Sequence, residues 1–395
     1  MRSKLREILL RRRDAGEKLA HGHPWVWRDA IAQGLEGAAP GEEVQVLGHD
    51  GAPLGRGLAD PGSPIAVRVW TRVRSPLDAA LFRSRVEQAS RLRAELVASE
   101  HTNAYRILHG EGDRTPGFVV DRYGPVAVLR TDGDAAAARA RDIVVALGPT
   151  LEASGVSSLV HRRGDRGVPH RLDVLIGTAP PATVTVREHG MAFVVDLARG
   201  QKTGAFLDQR DNRALVRAMA SGRRVLNLYS YAGGFSLFAA AGGAEHVTSV
   251  DVAAAAHATA QASFRASGLD PGRHAFVTAD VRAFLDEARK RGETWDLVVS
   301  DPPSFAPSEK AAPRALAAYR GLHGACARVL SPHGGILCAA SCSSHVGSTD
   351  FLSTLDDAAL GRQDLRLVEL RGAGPDHPTL PAFPEGRYLK FAVLR

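Results

Sequence analysis

The sequence predicts an α/β protein in three parts: a small β-rich domain over 1–72, a middle α/β domain over 73–182, and a doubly wound parallel-sheet domain over 183–395. Length is the first reason, because 395 residues exceed the roughly 250–300 at which a single hydrophobic core stops growing. The second is a change of texture near residue 183. Beyond it short apolar strands, Gly-rich turns and Ala-rich helices alternate, a pattern that right-handed crossovers wind into one sheet. The third is the run of short alternating segments ahead of it, cut by Gly and Pro.

In the first part, Val44-Gln45-Val46-Leu47 and residues 65–70 alternate as strands, with Gly41, Gly48, Gly51, Gly55 and Gly62 between and around them. Arg11, Arg12 and Arg13 and the segment 21–27 open it. Trp25 and Trp27 are candidates for the core of a small domain, the commoner fate of such residues, or for stacking on unpaired bases. In the second part, Leu77, Leu81, Val86, Leu92 and Leu96 recur at about helical spacing and predict a helix within 76–100. A turn-rich stretch over 110–117 precedes a strand beginning at Phe118, and 121–124 reads as a turn into a strand at 126–129. A helix is expected over 135–147, and Pro180-Pro181 reads as a linker. The middle part carries no catalytic motif. In the third part the expected strands are 224–228, 247–250, 274–278, 297–300 and 335–340.

Hydrophobic residues make up 44% and charged residues 24%, ordinary for a globular protein, and wholesale disorder is excluded. No stretch reaches the roughly 18–20 apolar residues of a membrane span, and the charged N-terminus lacks the apolar core of a signal peptide, so a cytoplasmic protein without a membrane partner is expected. Cys326, Cys338 and Cys342 are too few for a disulfide scaffold. Without a C-x-x-C or H-E-x-x-H pair, no metal site is expected. Lys and Arg outnumber the acids by 50 to 43, for a net charge of +7. Arginine suits phosphate and base contacts, although a GC-rich genome gives the same bias.

Four segments carry chemistry. Residues 225–236 form a buried strand that ends in a tight Gly233-Gly234 turn opening a helix, so backbone can approach a ligand and helix N–H groups point at it. Asn227, Tyr229, Ser230 and Phe235 lie on that segment. Asp251, followed by Val252, ends the next strand, where a carboxylate can accept both hydroxyls of a ribose. Neither G-x-G-x-x-G nor a P-loop is present. Asp280, followed by Val281, ends the third strand; it can take an adenine amino group or cap the next helix. Asp301-Pro302-Pro303 ends the fourth, where the prolines stiffen the loop and leave acceptors facing the ligand edge of the sheet. The fifth strand runs into Ser341-Cys342-Ser343. Cys338 sits inside the strand as a core thiol, whereas Cys342 sits at its end, where a loop can expose it. Roughly 3% of an ordinary thiol is thiolate at pH 7, so Cys342 needs activation to act.

Together these segments resemble the class I S-adenosylmethionine-dependent methyltransferases. More closely, the chain is similar to the large-subunit ribosomal RNA cytosine-5 methyltransferases with an N-terminal PUA domain. The matching segments are GHPWVW (22–27), PGFVVDRYG (116–124), GQKTGAFLDQRDNR (200–213), LNLYSYAGGFS (226–236), SVD (249–251), DPPSF (301–305), SCS (341–343) and DHPTLPAFPEGRYLK (376–390), covering essentially the whole chain in order. The resemblance implies an RNA-binding PUA domain, a small middle domain and a Rossmann-like catalytic domain with S-adenosylmethionine as cofactor. It implies that Phe206, Leu207, Asp208, Gln209 and Arg210 wrap the methionine part of the cofactor. Asp251 with Val252 would hold the ribose and Asp280 with Val281 the adenine. The glycine-turn residues, Asp301 and Pro302 would complete the site. Cys342 would be the nucleophile. Some relatives carry a second Cys in the Asp-Pro-Pro loop; here Pro303 and Ser304 stand there, which leaves the base for product release unassigned.

The expected mechanism follows. Carbon 5 of cytosine is a poor nucleophile until a thiolate adds to carbon 6, and a proton or hydrogen bond at ring nitrogen 3 absorbs the developing charge. Cys342 is expected to attack and Asp301 to serve nitrogen 3, on a base that is unpaired or flipped. Arg11, Arg12, Arg13, Trp25 and Trp27 are expected to bind RNA of the large ribosomal subunit. Two rivals remain: N-methylation of a purine amino group held by Asp301-Pro302-Pro303, and a non-catalytic module that holds cofactor and RNA. The oligomeric state is open, with a homodimer allowed.

Overall fold

The computed structural model describes residues 5–164 and 170–395, and the chain divides into two compact units. The first takes residues up to Val184 together with Leu197–Ala205 and Pro375–Gly386; the second takes Thr185–Asp196, Phe206–Gly374 and Arg387–Arg395. Among the described residues no helix is long and apolar enough to cross a membrane.

The first unit carries two sheets. The N-terminal sheet has six strands in the spatial order Trp25–Trp27, Ile65–Thr71, Pro53–Ala59, Glu43–Leu47, Arg6–Leu10, Ile31–Gln33. Their alternation turns Ile8, Leu10, Val44, Val46 and Val67 into one core. The five-stranded sheet runs Arg171–Ile176, Ser158–Arg163, Val126–Thr131, Phe118–Tyr123, Ala104–His109. Helices Ala79–Leu96 and Ala140–Ala153 bury Phe82, Val86, Leu147 and Leu151 with the sheet residues Val120 and Leu129.

Three expectations shift here. The helix expected within 76–100 is Ala79–Leu96, started by Asp78, whose side chain accepts from the N–H groups of Ala80 and Leu81. The single helix expected over 135–147 is two, Asp134–Ala138 and Ala140–Ala153. They break at Arg139, whose guanidinium reaches Asp142 and the carbonyls of Gly41 and Leu77. The turn expected at 121–124 begins only at Gly124. Asp121 stays in its strand because Arg106 of the neighbouring strand clamps both carboxylate oxygens, at 2.8 and 3.0 Å.

Residues 375–386 close this unit as a strap. The Asp376 carbonyl accepts from Arg93 (2.7 Å), its carboxylate accepts from the Arg106 N–H (3.0 Å), and Phe383 packs edge-on against Trp25 (4.6 Å). Gly112 is needed beneath it, since a β-carbon there would stand 1.8 Å from the Pro378 carbonyl oxygen.

The second unit begins at Thr185, inside a hairpin, Thr183–Glu188 and Met191–Asp196, that the sequence did not announce. Its Ala192 and Val194 N–H groups donate to Ser267 and Ser263. The main sheet has seven strands: β1 (Arg224–Leu228), β2 (His246–Asp251), β3 (Ala275–Thr278), β4 (Leu297–Ser300), β5 (Ile336–Ser341), β6 (Leu367–Arg371) and β7 (Lys390–Leu394). Their spatial order is 3-2-1-4-5-7-6. Strands β1 to β5 are parallel, and β7 runs antiparallel to both neighbours. The helices that matter are α1 (Arg210–Met219), α2 (Gly234–Ala241), α3 (Ala254–Ala266), α4 (Val281–Lys290) and α5 (Ala312–Arg328). Separate apolar clusters cover the sheet on each face, with Leu226, Leu228 and Val298 in one and Val225, Leu297 and Val299 in the other. That two-sided burial is why the central strands read as unbroken apolar runs.

Candidate active site

The carboxyl ends of β1, β2, β4 and β5 converge on one edge of the sheet, where open α/β sheets take their ligands. At the end of β1 the chain makes a strained turn. Tyr229 and Tyr231, neither of them glycine, sit at φ 56 and 45, with buried Ser230 between them. Gly233 follows at φ 71, and a β-carbon there would lie 2.6 Å from that of Ala260. Asn227 donates to Ser236 (2.8 Å), which lies 2.7 Å from Ser249, so the turn is anchored from below. The Asn227 side-chain oxygen and the Ser230 hydroxyl are buried without a hydrogen-bond partner among the described residues.

Asp251 ends β2. Its carboxylate accepts from the Tyr231 N–H (2.8 Å) and the Ala253 N–H (2.9 Å), which locks the β1 turn to β2 and leaves further lone pairs on both oxygens. Val252 is exposed. Asp280 caps α4, taking the Arg282 and Ala283 N–H groups on one oxygen at 3.0 Å each, with Val281 buried behind it. The capping role weighed for Asp280 is thus present in the fold, and its second oxygen makes neither cap bond.

The segment 206–210 runs along the same unit. Leu207, Asp208, Gln209 and Arg210 are buried, and the Phe206 ring meets Tyr231 edge-on at 5.5 Å. Gln209 donates to Asp301 (3.0 Å) and accepts from Asn212 (2.7 Å), so the Asp301 carboxylate is oriented by a buried relay. Arg210 turns to Asp211. Arg213 is clamped by Glu188 through two bonds of 2.7 Å, and its remaining arm donates to the Phe206 carbonyl at 2.9 Å. Pro302 is buried and Pro303 exposed.

Cys342 stands on a turn held from three sides. The Tyr319 hydroxyl of α5 accepts from Ser341 and lies 2.9 Å from Ser343 Oγ; Ser304 of the Asp301 loop also reaches Ser343, at 3.1 Å. From β7, Lys390 donates to the Ser343 carbonyl (2.6 Å) and the Tyr388 carbonyl (2.7 Å), while the Tyr388 hydroxyl donates to Asp208 (2.6 Å). Burial pulls the Lys390 ammonium down to about 8, and the negative charge of Cys342 beside it works the other way. Burial pushes Cys326 up to about 12 and pushes Cys338 up as well; both are fully buried, and Cys342 alone of the three is partly exposed.

The fold therefore brings together three sets of hydrogen bonds around these positions: Gln209 with Asp301, Asp208 with Tyr388 and the Lys390–Ser343 turn that carries Cys342, and Arg213 with Glu188 and the Phe206 carbonyl. Tyr319, Tyr388, Lys390, Glu188 and Arg213 make these bonds and received no role from the sequence. One signal was present: a lysine at the head of the apolar strand KFAVL, where a buried lysine needs partners.

The residues expected to bind RNA lie in the first unit. Arg11, Arg12 and Arg13 are exposed, and the last two pair with Asp14 and Glu17. Trp27 is 42% exposed. Trp25 is committed elsewhere: its indole N–H donates to Glu111 (2.8 Å) and its ring packs on Phe383, which makes it a packing residue, not an open stacking platform.

A 3-2-1-4-5-7-6 sheet with a glycine turn after β1 and an acid at the end of β2 defines a Rossmann-like cofactor-binding enzyme of the methyltransferase type. The cofactor fits it: unpartnered buried polar atoms at Asn227 and Ser230, close backbone approach at Gly233 and an acceptor at Asp251 suit a nucleoside with polar hydroxyls. The chain belongs to the S-adenosylmethionine-dependent methyltransferase family, whose model matches residues 136–390; a PUA-like domain matches residues 10–72. S-adenosylmethionine is its cofactor. The chain is similar to proteins named ribosomal RNA large subunit methyltransferase I from Photobacterium profundum (38% identity, 95% of each chain) and Klebsiella pneumoniae (35% identity, 96% of each chain). It also shares its fold with a solved structure described as a methyltransferase from Streptococcus mutans, at 24% identity, over 99% of this chain and 100% of that one, with a TM-score of 0.86.

Proposed function

We propose that the protein methylates carbon 5 of a cytosine in large-subunit ribosomal RNA, with Cys342 as nucleophile. The observation that carries this reading is the buried hydrogen-bond system that fixes the Cys342 turn against the Asp301 loop, Lys390 and Tyr319. A partly exposed cysteine on so constrained a turn suits covalent chemistry better than packing. The names of relatives that match across 95–96% of the chain support the RNA substrate.

When bound, S-adenosylmethionine supplies an electrophilic methyl group. Phe206, Asp208 and Gln209 would hold its methionine part, the 227–235 turn would back it, Asp251 would take the ribose hydroxyls, and Asp280 and Val281 would serve the adenine. Lys390 keeps its ammonium beside Cys342, which favours the thiolate. The thiolate adds to carbon 6 of the base and the electrons of the 5,6 double bond move to carbon 5, which becomes the nucleophile for the methyl group that the cofactor would supply, the sulfur–methyl bonding pair staying on a departing thioether. Asp301, steered by Gln209, holds a proton at ring nitrogen 3 while charge develops there. Loss of the carbon-5 proton to a base then expels the thiolate and restores the ring.

Cys342→Ala should bind cofactor like the wild type yet form no 5-methylcytidine. Wild type incubated with cofactor and RNA carrying 5-fluorocytidine should give a covalent complex, because fluorine cannot leave as a proton. Substantial methylation by Cys342→Ala, or an N-methylated purine as product, would transfer the assignment to amino-group methylation at Asp301-Pro302-Pro303.

A further inference from the structure

A cleft of about 230 Å3 opens within the first unit, between the turn at residues 22–24, the end of the Ile65–Thr71 strand and helix Ala79–Leu96. Three guanidinium groups line it, from three different elements: Arg72 just past the strand, Arg85 on the helix and Arg114 after the 110–113 turn. Among the described residues no carboxylate pairs with Arg85 or Arg114. Arg85 Nε is buried without a hydrogen-bond partner. Arg114 is held at φ 56, a conformation a β-carbon disfavours. Arg72 spends one arm on the Ala20 carbonyl (2.7 Å) and is otherwise exposed. The acid on the cleft wall, Glu111, already accepts from Arg68 and from Trp25.

Burial lowers Arg85 and Arg114 from the ordinary guanidinium range. Each is lowered further by the next cation, Arg85 by Arg114 and Arg114 by Arg72. Three mutually repelling cations around a half-buried cleft need an anion to balance them. Forks arriving from three elements suit a tetrahedral oxyanion better than a planar carboxylate. The cleft, about 230 Å3, has room for a phosphate group of a longer chain.

We propose that Arg72, Arg85 and Arg114 bind one backbone phosphate of the RNA substrate. This rests on the assignment of RNA as substrate and adds to it a defined anchor, away from the Arg11–Arg13 run. A phosphate contact positions the strand without reading its sequence.

The test uses full-length wild type, Arg85→Gln/Arg114→Gln, and Arg85→Lys/Arg114→Lys. Each is titrated with purified large-subunit rRNA at several salt concentrations, with and without millimolar inorganic phosphate, and with S-adenosylmethionine by calorimetry. The glutamine variant should bind rRNA at least tenfold more weakly, with a log–log salt slope shallower by about 0.7, the value for one phosphate no longer neutralised. Inorganic phosphate should compete with rRNA on wild type and much less on the glutamine variant. Cofactor affinity should not move, and the lysine variant should recover part of the loss. Arg72→Gln, a change on the exposed rim, repeats the test at several-fold loss should the double variant melt early. Wild type that binds rRNA while the glutamine variants match its affinity and slope overturns the cleft assignment and leaves RNA standing as the substrate. Loss of inorganic phosphate binding alone, with rRNA binding intact, also overturns it and makes the ligand a free phosphate. Wild type that fails to bind rRNA overturns both.

Discussion

Glu188→Ala should destabilise the second unit by about 3–5 kcal/mol, the usual cost of leaving one partner of a buried ion pair uncompensated. The Glu188 side chain is 3% exposed and that of Arg213 7%, so neither charge has water to fall back on. Arg213 loses two bonds of 2.7 Å at once, while its third arm remains tied to the Phe206 carbonyl and its guanidinium remains over the Phe193 ring at 5.5 Å. At about 2–4 °C per kcal/mol for a domain of this size, the melting transition should fall by roughly 6–20 °C. Because Arg213 also holds Phe206, the first residue of the segment proposed to wrap the cofactor, S-adenosylmethionine should bind more weakly as well. The double variant Glu188→Leu/Arg213→Met removes both charges and should regain much of the stability, since well-packed apolar replacements of buried pairs are often neutral. Scanning calorimetry with and without cofactor reads both effects. A single variant that melts within about 2 °C of wild type, or a double variant no better than the single, refutes the reasoning.

Asp251→Ala should weaken S-adenosylmethionine about tenfold or more by loss of charge-assisted bonds, and unchanged calorimetric affinity in a folded variant rules the role out. Mass spectrometry after thiol labelling at pH 8 should find one adduct, on Cys342, because burial holds Cys326 near 12 and Cys338 higher than usual; native-state adducts on either refute this. His323 is buried and pulled down to about 4, so it stays neutral in the fold while the unfolded chain protonates near 6.5. The lowered value means its contribution is present above pH 6.5 and lost as pH falls from 6.5 to 4, about 3 kcal/mol in all. His323→Leu should flatten that part of the stability–pH curve, and an unaltered slope refutes the assignment. Asp301→Asn should keep cofactor binding but slow methyl transfer about 10²-fold, as checked by single-turnover kinetics.

The central sheet was legible because strands buried on both faces leave continuous apolar runs, as in β1 and β4, and because acids and glycines mark their carboxyl ends. Boundaries shifted by a residue or two, as where the strand expected at 335–340 is Ile336–Ser341. The hairpin over 183–196 was missed because its partners are serines of α3, some 70 residues away. Tyr319, Tyr388 and Lys390 were missed for the same reason: their hydrogen bonds to Ser341, Asp208 and Ser343 span 22 to 180 residues, and no local period encodes them. Trp25 was assigned to RNA with packing as the alternative; its packing partner, Phe383, lies at the other end of the chain, where no local pattern could reveal it.

That last separation bears on how the protein is made. The first unit needs Asp376 under Arg93 and Arg106, and Phe383 against Trp25. A ribosome therefore has to deliver nearly the entire chain before the N-terminal unit gains its last contacts, although both of its apolar cores are built from residues ahead of 177. Until residues 375–386 emerge, Arg93 keeps its Asp113 pair but lacks the Asp376 carbonyl, and Trp25 lacks the Phe383 ring. A lesion in the last 20 or so codons is thus expected to injure the N-terminal unit first synthesised as much as the strand last added.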